Sequence, residues 1–248
     1  MKRLILTGLM LLAAPVSLLA SGGMHLDKAD IDLSNKASLQ RGFKYFTNYC
    51  YGCHSLSLTR YSRIGEDLGI PKDILQSEVI FARDEKGEPV KVGSYMKTAM
   101  RKSYGDQAFG KAPPDLSVVA RARGSDWIYT YLRSFYLDPS RPFGVNNTAF
   151  DNVGMPHVLW ELQGWQVLKK SEHGEGHGGA GELELAVPGS VSPVEYDQIV
   201  RDITNFLTYM AEPVREKRLT TGVFVMLFLF LFFVAAYFLK KEYWKDVH

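Results

Sequence analysis

Cys50 and Cys53 are the only cysteines in 248 residues; they stand three positions apart, and His54 follows at once, within YFTNYCYGCHSLSLTRY (45–61). Two thiols and an imidazole at that spacing offer four chemistries: a disulfide, a metal site, a redox dithiol or haem attachment. A disulfide would close a very small loop and give His54 no role. Structural zinc needs four ligands, and the chain has no second C-x-x-C; its one H-x3-H pair, His173 and His177, lies far along the chain in a Gly-rich loop. A thioredoxin-like dithiol opens a helix after a strand in a βαβ unit; here a helical pattern precedes the pair and no βαβ pattern exists. Covalent c-type haem accounts for all three residues, with two thioethers from Cys50 and Cys53 and one axial nitrogen from His54. Both vinyl groups lie on one edge of the porphyrin, so the sulfurs must come from adjacent points of one turn, and His54 is then forced under the iron.

The sixth iron ligand decides between small-molecule chemistry and electron transfer. The remaining histidines are His25, His157, His173, His177 and His248, and the methionines of the central region are Met96, Met100, Met155 and Met210. Met210 belongs to a helical apolar stripe, and His173 and His177 lie in a Gly-rich loop. Met155 sits in FDNVGMPH, where Gly154 and Pro156 make an irregular, stiff segment able to hold a thioether still. His157, two residues on, is its rival, and local context leaves the two open. A Met/His pair would close the iron's coordination shell and raise its potential, favouring a one-electron carrier over an oxygen-activating enzyme. No Ser–His–Asp, Walker-type or dinucleotide motif suggests otherwise.

The elements that must position these residues are mainly α with long loops. Leu39, Phe43, Phe46 and Tyr49 follow helical spacing over 38–49, with Ser38 as a cap. Gly42 inside that helix costs stability unless something packs closely on it. GSDWIYTYLRSFYLDP predicts a second helix capped by Ser125, with Trp127, Ile128, Tyr131, Leu132 and Phe135 inward and Pro139 past its end. SPVEYDQIVRDITNFLTYMAEP predicts a third. Ser192 and Glu195 form its capping box with Pro193 at the first helical position, Ile199, Ile203, Phe206, Leu207 and Met210 form its buried stripe, and Pro213 closes it. RDEKGEPV (83–90) reads as a solvated turn or small hairpin and SEHGEGHGGAGE (171–182) as a surface loop. Strand signals are few. Such a chain buries little core for its length, and a flat apolar disc would supply the missing interior.

Both ends are apolar. MKRLILTGLMLLAAPVSLLASGG has two positive charges, an apolar run and small residues at its close, the anatomy of a cleaved secretory signal, assigned to 1–22. Leu219 to Leu239 contains 21 residues without a charge, about 30 Å of helix and enough to cross a bilayer. The flanking cations do not orient it, since Arg215, Lys217 and Arg218 precede it and Lys240, Lys241 and Lys245 follow; the signal does. The expected layout is an exported haem domain over 23–213, a single-pass anchor with its flanks over 214–240 and a cytoplasmic tail over 241–248. The net charge is +2; Lys2 and Arg3 carry two of these charges and the tail from Lys240 one, leaving about −1 between them. That balance offers no basic field for nucleic acid.

CYGCH, APPDLSVVARARGSDWIYTYL (112–132), VGMPHVLWEL (153–162) and FLTYMAEPVREKRLTTG (206–222), in that order and running into a membrane helix, resemble the cytochrome c1 family. C-x-x-C-H alone fits dozens of families, whereas P-P-D-L-S with R-A-R, and A-E-P-x-R ahead of the anchor, are far more specific. The resemblance implies a class I cytochrome c fold in which the first and third helices cross at Gly42. It implies His54 and Met155 as the axial pair of a covalent haem c. Arg123 and Tyr129 are implied as propionate contacts, and the carbonyl of Pro113 or Pro114 as acceptor for the His54 N–H. It further implies membership of a ubiquinol–cytochrome c reductase (bc1) complex, dimeric and set in a bacterial inner membrane. Its haem domain would lie in the periplasm, with cytochrome b and a Rieske iron–sulfur protein as partners and a c-type cytochrome as acceptor. The region between Trp165 and Pro188 matches no motif of the family. A free-standing tethered cytochrome c shares the haem motif but does not need the A-E-P-x-R segment, and a haem-based ligand sensor would need a labile sixth position.

Overall fold

In a computed structural model, residues 25–84, 86–169 and 182–246 are described. The expected signal segment, most of the Gly-rich loop with His173 and His177, and His248 lie outside the described residues.

The first helix, α1 (Lys36–Tyr45), begins where Asn35 Oδ1 accepts the Ser38 N–H at 3.0 Å. Asn35 is therefore the cap, three residues before the predicted Ser38. Ser38 is needed elsewhere: it is buried, donates its hydroxyl to Asp202 at 2.7 Å and accepts from Asn205 at 2.9 Å. The helix then widens into a π-helical turn over Phe46–Cys50, with Tyr51 N bonding Phe46 O at 2.9 Å. Such wide turns are rare and cluster at functional sites; this one delivers the chain to the C-x-x-C-H turn.

A short ladder of β1 (Leu56–Arg60) with β2 (Tyr95–Met96) follows, with helices α2 (Tyr61–Leu68) and α3 (Lys72–Ile74) between the two strands. Arg83 and Pro89 bridge to close the 83–90 turn as a small hairpin. Next come α4 (Lys102–Phe109), α5 (Val119–Arg123) and α6 (Ser125–Arg133). The residue capping α6 is Gly124, at φ 90°, and Ser125 is already helical with no capping bond. Asp126 in that first turn instead accepts from Ala29 N at 3.0 Å and Lys28 Nζ at 2.8 Å, stapling the N-terminal segment to the helix.

The second predicted helix also ends early. Phe135 lies on β3 (Phe135–Leu137), which pairs antiparallel with β4 (Val145–Asn147). Asn147 Nδ2 donates to the Tyr131 carbonyl at 2.8 Å, beside the Ser134 N–H at 3.2 Å, and so ties β4 to the C-terminus of α6. A one-turn α7 (Trp160–Gln163) leads into the hairpin β5 (Gly164–Lys169) and β6 (Glu182–Pro188). Gly164, at φ 91°, is obligatory at its base, because a Cβ there would meet the Gly189 nitrogen at 2.5 Å. The three two-stranded ladders are small, and the architecture is mainly α.

The third predicted helix is α8 (Pro193–Ala211). Ser192 caps it, with Glu195 N to Ser192 Oγ at 3.3 Å and Ser192 N to Glu195 Oε2 at 2.9 Å, and the whole predicted stripe is buried. It crosses α1 at Gly42. A Cβ on Gly42 would overlap the Asp202 carbonyl oxygen and lie 2.7 Å from Phe206 Cβ. That close approach accounts for a glycine in mid-helix and lets Phe43 and Phe46 reach Phe206 at ring-centroid distances of 5.3 and 5.6 Å. Asp202 is buried beside the crossing, where Arg41 donates to it twice, at 2.6 and 3.0 Å, along with Ser38 and Gln198. A buried carboxylate is tolerated only when paired and bonded in this way.

Past Pro213, α9 (Arg215–Tyr243) runs for 29 residues with a mean hydropathy of 2.7 over its most apolar window and no buried residue. Among the described residues it is the one helix long and apolar enough to cross a membrane.

Candidate haem site

The site is built from two apolar clusters and the segments that hang between them. Cys50 belongs to the main cluster with Phe46, Tyr51 and Leu56, whereas Met155 packs against a separate cluster of Phe135, Val145 and Val153.

On the first side, the backbone turns tightly, with Cys53 N and His54 N both bonded to Cys50 O, at 3.0 and 2.9 Å. Both thiols are free. Burial pushes the Cys50 thiol up to about 12, with Cys53 adding to the rise. Among the described residues no group of three or more His, Cys, Asp or Glu could hold a metal ion.

His54 is buried, and its Nδ1–H donates to the Pro114 carbonyl at 2.7 Å. Of the two prolines proposed as acceptors, the structure selects Pro114. Burial lowers the pKa of His54, partly opposed by that bond, so the ring stays neutral with Nε2 free to ligate. The P-P-D-L-S run is zipped to the chain just after the histidine. Leu116 N bonds Ser55 O at 2.9 Å, Ser57 N bonds Asp115 at 2.9 Å and Leu58 N bonds Ser117 Oγ at 3.1 Å. Pro113 takes a packing role: a Cβ on Gly105 of α4 would meet its Cδ at 2.8 Å.

On the second side, Met155 is half-buried and its sulfur accepts the Tyr131 hydroxyl at 3.3 Å. Burial raises the Tyr131 pKa, so the phenol keeps its proton. The rival His157 is buried, stacked on Phe135 at 5.0 Å and edge-on to Trp165 at 5.8 Å. Burial lowers its pKa to about 4 and leaves Nε2 without a partner. Met96 and Met210 are core residues.

The two implied propionate contacts are not brought together. Arg123 is exposed, with its guanidinium 5.0 Å from the Trp127 ring and 5.9 Å from Phe150. Tyr129 is buried against α8, with Arg133 4.7 Å and Arg201 5.7 Å from its ring. Residues two apart on a helix lie about 200° apart around it, so Tyr129 faces away while Trp127 and Tyr131 share one face, stacked at 4.9 Å. Trp127 is the aromatic partner of Arg123 that sequence reasoning assigned only to packing; its i, i+4 relation to Tyr131 was the available signal.

The donor set of unpaired thiols, a neutral oriented imidazole and a thioether fits a c-type haem. Residues 29–165 and 190–247 match the Cytochrome C1 family. The gap between the two matched parts covers most of the β5–β6 hairpin, the region in which the sequence shows no motif of the family. Cytochrome c1 of Allochromatium vinosum is 51% identical over all of both chains. A protein of Nitrosomonas europaea named ammonia monooxygenase gamma subunit is 45% identical over 97% of each. A chain described as a hyperthermophilic respiratory Complex III aligns with all of this chain and 98% of its own, at a TM-score of 0.47 and 16% identity. This chain belongs to the cytochrome c1 family, the haem-bearing electron carriers of the quinol–cytochrome c reductase complex.

Proposed function

We propose that Cys50 and Cys53 hold the haem by thioethers, that His54 and Met155 are its axial ligands, and that the chain relays single electrons from a Rieske iron–sulfur protein to a c-type cytochrome. When bound, the haem supplies a one-electron ferric/ferrous couple; the chain supplies attachment, ligands, potential and a docking surface. The observation that carries the reading is the His54–Pro114 bond at the C-x-x-C-H turn. It fixes the tautomer and aims Nε2 away from the backbone, as a proximal ligand requires. The separation of Cys50 and Met155 into two apolar clusters supports a flat group lying between them. Met155 is favoured over His157 because the imidazole is already stacked on Phe135 and edge-on to Trp165 while the thioether is only half-buried. The exposure of Arg123 beside Trp127 at the end of α5 supports it as a partner for a propionate.

Residues 1–22 act as an export signal and α9 spans the inner membrane once, so the haem domain lies in the periplasm and the tail after Lys240 in the cytoplasm. Cytochrome b is the membrane partner, in a dimeric complex. The relative from N. europaea carries the name of a monooxygenase subunit, and purification in mild detergent separates the two readings. Co-isolation with cytochrome b and a Rieske protein supports the reductase; co-isolation with a monooxygenase would replace it. For the ligands, Met155→Leu keeps the covalent haem and lowers the midpoint potential in a redox titration of purified membranes. An unchanged potential retires Met155 as ligand.

A further inference from the structure

We infer that the Tyr131 hydroxyl is a positioning and tuning group for the Met155 sulfur, holding the thioether in place and raising the potential of the iron it ligates. The inference rests on Met155 being the sixth ligand.

Three observations converge on one phenol oxygen. The Tyr131 ring has a single seat, stacked on Trp127 at 4.9 Å with 12° between planes and edge-on to Phe135 at 5.3 Å and 70°. From that seat the hydroxyl lies 3.3 Å from Met155 Sδ, and it has no other partner among the described residues. The backbone at both ends of the contact is pinned by paired asparagines. Asn147 donates to the Tyr131 carbonyl at 2.8 Å and accepts the N–H groups of Ala149 and Phe150 at 2.8 and 3.1 Å. Asn146 Oδ1 accepts the Asn152 N–H at 3.0 Å. The loop from 146 towards Met155 is thereby tied to the last turn of α6, and the hydroxyl–sulfur distance is set by the fold.

Packing alone does not call for the oxygen. A phenylalanine would fill the same slot between Trp127 and Phe135 without a polar atom to satisfy. A thioether sulfur has two lone pairs, one for iron and one able to accept a hydrogen bond, weakly. Donation into the second pair draws electron density from the sulfur. The ferric state depends more on that density than the ferrous state, so the bond favours reduction. Hydrogen bonding around an axial ligand is an established lever on haem potential, and here the lever is a single hydroxyl.

The test is Tyr131→Phe in the full-length, haem-loaded protein in its native membrane. The expected result is intact covalent haem, a retained but shifted thioether–iron charge-transfer band, and a lower midpoint potential. The ferric/ferrous balance should move three- to tenfold, about 30–60 mV at 59 mV per tenfold for one electron. In a Met155→Leu background the same change should have no effect on potential, because the acceptor is gone. In the unmodified protein, replacing the exchangeable hydroxyl proton by deuterium should shift the charge-transfer band. An unchanged potential and band in Tyr131→Phe overturns the inference, as does an equal shift without Met155, which would mark a packing effect. Absence of the band from the unmodified protein overturns the ligand assignment itself, and the inference with it.

Discussion

The two sides of the haem site are built by different means. The His54 side rests on the α1–α8 crossing, where Gly42 allows backbone contact and Asp202 is bonded by Ser38, Arg41 and Gln198. The Met155 side rests on aromatic rings, Trp127, Tyr131, Phe135, His157 and Trp165, leaning on one another beside short strands. The named residues of both sides lie within the family match; the second side abuts the β5–β6 hairpin, most of which lies outside it. On the proposed reading, the side that would carry the thioethers is built from close-packed helices, whereas the side that would supply one adjustable ligand is built from rings and loops.

Four experiments test that contrast. The largest effect is expected from Cys50→Ser with Cys53→Ser, which should abolish covalent haem entirely, read by the mass of the mature chain and a pyridine haemochrome spectrum. Met155→Leu should leave attachment intact, so equal losses from both would erase the contrast. Next, Gly42→Val should force α1 and α8 apart and cost about 3 kcal/mol or more, read by denaturant unfolding; a stable variant would refute the crossing.

Acid should strike the ring-built side. The folded pKa of His157 is depressed to about 4 by burial, below its ordinary value near 6.5. Its contribution to stability is therefore complete above about pH 6.5 and is lost as pH falls towards 4, by up to about 3 kcal/mol. His157→Phe should flatten that part of the stability–pH curve. The smallest effect belongs to the hairpin tip. Val167 pairs with Glu184, so replacing 168–183 by an Asn-Gly turn should change stability by no more than about 1 kcal/mol. A large loss would show that the unmatched hairpin supports Met155 after all.

Much of the site was legible before any coordinates. C-x-x-C-H, the Ser192–Glu195 capping box and the stripe from Ile199 to Met210 are short-range patterns, and each holds in the fold. The misplacements share one origin. Ser38 was taken for a cap because it precedes an apolar run, but a partner 164 positions away claims its hydroxyl. Phe135 was read as helical by spacing, but pairing with Asn147 draws it into a strand.

Contiguous sequence alone carries the C-x-x-C-H motif, the long apolar run of α9 and the capping box of α8, because each is encoded along one short stretch of chain. Tertiary structure decided which proline carbonyl orients His54, which aromatic ring sits beside Arg123, and that Tyr131 reaches the Met155 sulfur. Those choices depend on which faces meet when distant segments pack. Local spacing fixes the phase of a side chain around its own helix, and only the packed neighbour fixes what that side chain touches.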